Sequence, residues 1–195
     1  GARLLDSFAQ VGLWRDCQGP TCFSQPCAQM EFKIRHSSTA DIPVILRLRD
    51  AARLIMRQSG NMTQWPVGEP RDSLFEADVA ARVSHIVEAD GRPVATFALL
   101  HGPDPAYVVV SSGPGWQRPD GEHFILHRLA SDGSAPGVFS AVMDFCSAVR
   151  DLRVDTHKDN VIMRHLLTKY GFAYVGVICL ANGSQRMAFQ RLTKA

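Results

Sequence analysis

From residue 37 onward the apolar positions switch repeatedly between helical and strand periods. Ile45, Leu48, Ala52 and Ile55 recur at helical spacing. Ser38 or Thr39 offers the N-cap, Asp41 sits in the first turn, and Pro43 falls where a missing N–H costs nothing. Gly60 supplies the stop. A second helix over 72–82 turns Leu74, Phe75, Val79 and Val83 inward. Residues 85–88 and 94–100 read as strands around Asp90-Gly91, a hairpin dipeptide. Residues 32–35, 108–110 and 123–130 read as further strands, and 131–136 as a turn. The helix that starts near Gly137 has Val138, Ala141, Val142, Phe145 and Val149 as its apolar face. A strand at 152–156, a helix at 160–170 and strands at 174–180 and 186–191 complete the order, the last two around Asn182-Gly183. The pattern predicts one α/β (mixed α+β) domain over residues 30–195. Its centre is a mixed, mostly antiparallel twisted sheet of six to seven strands with helices on both faces.

Residues 1–29 stand apart as an N-terminal extension, upstream- or expression-derived. Leu4, Leu5, Phe8 and Val11 fall at helical spacing, which suits a short helix docking on the domain or a neighbouring chain. The segment lacks the basic start and continuous apolar centre of a signal peptide. Cys17, Cys22 and Cys27 are five residues apart, wider than the Cys-x-x-Cys pairs of a metal site, so no metal is expected. The odd total of five cysteines, with Cys146 in a helix and Cys179 in a strand, reads as reduced thiols of a cytoplasmic protein. A net charge of +2 without a basic stripe argues against a nucleic-acid partner. No run approaches the roughly 20 apolar residues of a membrane helix.

Two strand-to-helix junctions follow one another, at 131–137 and at 157–160. In α/β proteins such junctions are where a phosphate-bearing ligand usually sits, because a helix start offers free N–H groups and the positive dipole end. Gly133 and Gly137 permit unusual φ or close approach in the first junction. At the second, Asn160 is followed by Met163, Leu166, Leu167, Lys169, Gly171 and Phe172.

On that run the chain resembles the GNAT-type N-acetyltransferases. The stretch Asn160–Phe172 fits their pattern of Asn, apolar residues, then Lys-x-Gly-Phe, and the element order matches from about Phe32 onward. Asp155-Thr156-His157 and Leu126-His127-Arg128 resemble one subgroup. The resemblance implies acetyl-CoA as cosubstrate. Its pyrophosphate would lie on the turn of Ser131, Gly133, Ser134 and Gly137 and on the amides of Gly137, Val138 and Phe139. Asn160 would bond the pantetheine arm, and the backbone amide of Leu129 would polarise the thioester. Trp65 and Trp116 would line the acceptor site. The chain departs from the pattern twice. Ser134, Gly137 and Phe139 occupy the places of Gln or Arg, Gly, and Gly or Ala, so a bulky residue stands where a small one is usual. Leu167 occupies the place of the Tyr that protonates the departing thiolate.

A base for the amine is sought first at His127, then at Glu122, His123 and His157, since a His near its ordinary pKa of about 6.5 accepts a proton at neutral pH. Each could equally be a hydrogen-bonded structural residue. His123 and His127 on one strand lie roughly 13 Å apart, too far to share a metal. The expected activity is direct acetyl transfer to a primary amine, taken to be that of a small molecule. The rivals are a non-catalytic acyl-CoA-binding module and an interaction scaffold whose pocket Phe139 fills. A protein N-terminus or lysine is the alternative acceptor, and the family resemblance implies a possible homodimer through the C-terminal strands.

Overall fold

Asp90 and Gly91 both take left-handed backbone, at φ 49° and 75°, the geometry of a tight two-residue hairpin. They join β2 (Ser84–Ala89) to β3 (Arg92–His101) in antiparallel register. In this computed structural model, which describes residues 30–193, that hairpin seeds a seven-stranded sheet. The other strands are β1 (Phe32–His36), β4 (Phe124–Ser131), β5 (Asp151–Thr156), β6 (Ala173–Cys179) and β7 (Gln185–Leu192). Their order is β1-β2-β3-β4-β5-β7-β6, and only the central β4–β5 pair is parallel. Leu4 to Val11 and the three N-terminal cysteines lie outside the described residues.

Among the described residues, four helices cover the two faces. Helix α1 (Ile42–Gln58) follows a 3-10 turn (Thr39–Asp41), and the Asp41 carboxylate accepts from Ser38 N at 2.7 Å. Ile45 of α1, with Phe75 and Val79 of α2 (Asp72–Ala80), packs on Ile86 of β2. Val87, the next residue, points to the opposite face. There it meets Val138, Phe139 and Val142 of α3 (Val138–Phe145) and Leu167 of α4 (Val161–Lys169).

Three boundaries differ from the sequence pattern. Residues 108–110 form no strand: Pro103 and Pro105 remove two donors, and the Asp104 carboxylate accepts from Ala106 N at 2.8 Å to start a 3-10 turn at Pro105–Tyr107. Tyr107 is buried there, and Val108 and Val109 are exposed. Helix α2 stops at Ala80 because Arg82 turns to φ 58°. Helix α3 is only eight residues long and buries Val138, Phe139, Val142 and Met143. Phe145 is largely exposed, although its ring leans on His85 and Phe97 at 5.1 and 5.8 Å. Val149 falls beyond the helix.

Candidate active site

The sheet comes apart at its centre. Strands β4 and β5 pair only through Phe124 with Leu152 and Ile125 with Arg153. Beyond Ile125 the edge of β4 that faces β5 has no strand partner, while β5 continues along β7 to Thr156. A bulge widens the gap. Ala98 pairs with His127 and Thr96 with Ala130, so β4 carries one residue more than β3 between them. Arg128 absorbs that extra residue at φ 55°. Its guanidinium grips Asp78 of α2 through Nε at 2.5 Å and a second nitrogen at 2.7 Å.

A cavity of about 240 Å³ occupies the gap. Its walls include His127 and Leu129 from β4, Asp155 from β5, Asn160 and Met163 at the start of α4, and Arg186 from β7. Gln64 and Trp65, from the loop after α1, close it from above. His127 is the central titratable group. Its Nδ1 stands 3.7 Å from Asp155 Oδ1 and its Nε2 stands 3.9 Å from Asp104 Oδ2. That Nε2 is buried and has no hydrogen-bond partner among the described residues. Burial holds the imidazole below its ordinary pKa, with Asp155 pulling the other way. Asp155 is itself fixed, because the Tyr107 hydroxyl donates to its Oδ1 at 2.6 Å. Burial, then the Asp155 charge, raises the Tyr107 pKa well above the usual phenol range, so Tyr107 remains a donor.

The other sequence-derived candidates divide by position. Trp65 lines the cavity. Trp116 does not: it stacks on the outer side of Tyr107 at 5.5 Å, donates to the Tyr107 carbonyl at 2.7 Å, and carries Arg153 over its other face at 4.4 Å. Its role is to wedge Tyr107 in place. Glu122 is exposed and pairs with His101 at 3.0 Å, away from the cavity. His123 is buried, with Nδ1 2.9 Å from the Gly121 carbonyl and its ring pressed against Gly102. His157 sits at the rim, with Nδ1 3.4 Å from Asp159 Oδ2 and Nε2 3.4 Å from Thr63. Asn160 caps α4: its Oδ1 accepts from Met163 N at 3.1 Å and its Nδ2 donates to Gln64 Oε1 at 3.0 Å. One Nδ2 hydrogen of Asn160 remains for a ligand.

The turn into α3 is internally braced. Ser131 Oγ accepts from Gly133 N at 3.2 Å, and Asp132 Oδ1 accepts from the Ser134 amide at 3.0 Å and its hydroxyl at 2.6 Å. Gly137 caps the helix at φ 92°, and a Cβ there would lie 3.4 Å from the Phe32 ring. Phe139 does not obstruct this turn. Its side chain is buried in the core, edge-on to Tyr170 at 5.1 Å. Only its backbone belongs to the helix start. Leu167 is fully buried, so the place of the expected acid faces the core and not the cavity.

Asp155, Tyr107, Gln64 and Arg186 were not among the sequence-derived site residues. A signal for two of them exists. Asp151, Arg153 and Asp155 alternate with Leu152 and Val154, and Arg186 stands in phase with Ala188. Charged residues at inward-facing positions of central strands need partners, and here those partners define a site. Tyr107 and Gln64 lie in loops, where no period marks them.

Among the described residues no helix is long and apolar enough to cross a membrane, and no group of three His, Cys, Asp or Glu is placed to hold a metal. No family model and no curated protein matches the chain. Solved structures do. A GNAT-family acetyltransferase from Streptococcus agalactiae superposes with a TM-score of 0.75 at 25% identity, over 84% of this chain and 96% of that one. One from Listeria monocytogenes gives 0.65 at 16% identity, over 87% and 99%. One from Bacillus cereus gives 0.57 at 12% identity, over 85% and 99%. The likeness extends over nearly the whole length of these neighbours, so the chain, with its open, seven-stranded mixed sheet, has the fold of the GNAT-type N-acetyltransferases.

Proposed function

We propose that this protein is an acetyl-CoA-dependent N-acetyltransferase that passes an acetyl group directly to the primary amine of a small molecule. The observation that carries this reading is the parting of β4 and β5 around a cavity lined by the buried imidazole of His127, whose Nε2 has no partner among the described residues. The fold neighbours, GNAT acetyltransferases, support acyl transfer in general. The residues supply the rest of the argument.

In this reading the turn of Ser131, Gly133, Ser134 and Gly137, with the amides of Val138 and Phe139, takes the pyrophosphate. Asn160 holds the pantetheine arm through its remaining Nδ2 hydrogen. The unpaired edge of β4 at Leu129 presents a backbone N–H to the thioester oxygen, where negative charge grows as the carbonyl is attacked. His127, neutral at pH 7, takes a proton from the incoming ammonium. The freed amine forms the C–N bond, the C–S bond breaks, and the nitrogen's second proton reaches the departing thiolate through water. A covalent acyl-enzyme is not needed. Cys146, the residue that ends α3, is buried, and burial pushes its thiol up to about 11.

A second reading has one observation behind it. Leu167 is buried where an acid is expected, which suits a module that binds acyl-CoA without turning it over. Thermal-shift titration with acetyl-CoA, followed by thiol release across an amine panel, separates the two. Stabilisation with turnover supports the transferase. Stabilisation without turnover supports the module. No stabilisation at millimolar acetyl-CoA overturns both.

A further inference from the structure

Arg186 enters the cavity wall with its charge incompletely matched. The side chain is 9% exposed. One terminal nitrogen donates to the Gln185 carbonyl at 3.0 Å and the other reaches the Gln64 carbonyl only at 3.5 Å. Its Nε stands 3.9 Å from Asp155 Oδ2, beyond hydrogen-bond range. Asp155 is meanwhile committed at Oδ1 to Tyr107 and lies beside His127. Burial lowers the Arg186 pKa, with Asp155 opposing, yet a guanidinium stays charged at any physiological pH. The other cavity arginine behaves differently. Arg128 is closed into a two-point pair with Asp78 and has no comparable deficit.

A buried guanidinium without a two-point partner is poorly compensated, and a carboxylate is the anion whose geometry completes it. The same cavity carries His127, whose Nδ1 stands 3.7 Å from Asp155 Oδ1. Arg186, a fixed cation, and His127, a proton acceptor, share a single cavity of about 240 Å³, which matches a small molecule carrying both a carboxylate and an amine.

We propose that the acceptor is an amino acid or a close analogue, its carboxylate clamped by Arg186 and its ammonium delivered to His127. This rests on the acetyltransferase reading and names its substrate class. Arg186 acts as a specificity-determining residue, not as part of the transfer chemistry.

The test measures acetyl-CoA binding first, by thermal shift, and then thiol release with each of the twenty common L-amino acids. Each is paired with its α-carboxamide. Loss of acetyl-CoA binding in the unaltered protein overturns the acetyltransferase reading itself. With binding in place, at least one amino acid is expected to be acetylated with a kcat/KM about tenfold or more above its amide, the scale of a charge-assisted hydrogen bond. Arg186→Gln is expected to bring that acid-over-amide ratio close to one, mainly through KM, and Arg186→Lys to keep part of it. Acetyl-CoA binding by both variants serves as the folding control. Equal turnover of acids and amides, or turnover only of amines lacking a carboxylate, overturns the inference and leaves the acetyltransferase reading standing. So does acetyl-CoA binding with no amino acid acetylated.

Discussion

Arg128, held at φ 55° in the β4 bulge, is tied through two hydrogen bonds to Asp78 in α2. The bulge that opens the cavity is thus anchored to a helix on the sheet's outer face. Asp78→Ala leaves a buried guanidinium unpaired at a strained backbone position. Breaking a buried pair from one side costs about 3–5 kcal/mol, so urea unfolding should lose that much. Acetyl-CoA affinity should fall with it, because the path of β4 at Leu129 depends on the bulge. A loss below 1 kcal/mol would remove Arg128 and Asp78 from the account of how the site is built.

His127→Gln keeps a polar side chain on β4 and removes the base. Turnover should fall by about 10²–10⁴, the usual range for general-base catalysis, with acetyl-CoA still bound. The pH profile gives an independent check. Burial lowers the His127 pKa, so the neutral, proton-accepting form persists below the ordinary value of about 6.5. In the unaltered protein the acid-side loss of kcat/KM attributable to this group therefore begins below 6.5. A profile set by a group titrating above 7 would contradict the assignment.

Leu167→Tyr restores the residue type expected at that place in α4. The structure predicts harm and no gain. Leu167 is fully buried, so a phenol there overpacks the core and carries its hydroxyl into apolar surroundings. Stability should fall by about 1–3 kcal/mol, read by calorimetry, without a rise in turnover. A faster enzyme would mean that this helix turns its residue 167 to the cavity.

His85 provides a test far from the cavity. Its ring stacks on Phe97 at 4.9 Å, and His36 lies tilted against it at 4.4 Å. Burial, helped by the neighbouring imidazole, lowers its pKa to about 4. The folded protein therefore binds fewer protons here than the unfolded chain between about 6.5 and 4. This contribution to stability is complete above 6.5 and is lost as pH falls towards 4. His85→Phe should flatten the decline in Tm over that window, and an unchanged slope would refute the assignment.

How much of this was legible beforehand depends on the range of the interactions. Asp90-Gly91 predicts its hairpin because the turn's φ values are set by the two residues themselves. Asn160 could be named for the same reason, since a cap contacts residues only three away. The pairing of Tyr107 with Asp155 spans 48 positions, and that of Asn160 with Gln64 spans 96. No period along the chain encodes such meetings. Trp116 shows the converse error. An aromatic in a loop near β4 suggests a substrate wall, and the fold spends it on securing Tyr107. Phe139 looked like an obstruction because its position was read from a pattern of residue sizes. The direction of its side chain is fixed by how α3 lies on the sheet, and that direction is inward.

The seam between β4 and β5 is two residue pairs long, and it is the only parallel joint in the sheet. Each half of the sheet, β1 to β4 and β5 to β6, is laced by hairpins and long ladders. Within the sheet itself, the two halves meet as plates along one short edge. A ligand whose own amides run along the open stretch of β4 would act as a splint across them. Amide hydrogen exchange at residues 126–131 should then slow on ligand binding more than anywhere else in the chain, and the two plates should unfold more nearly as one.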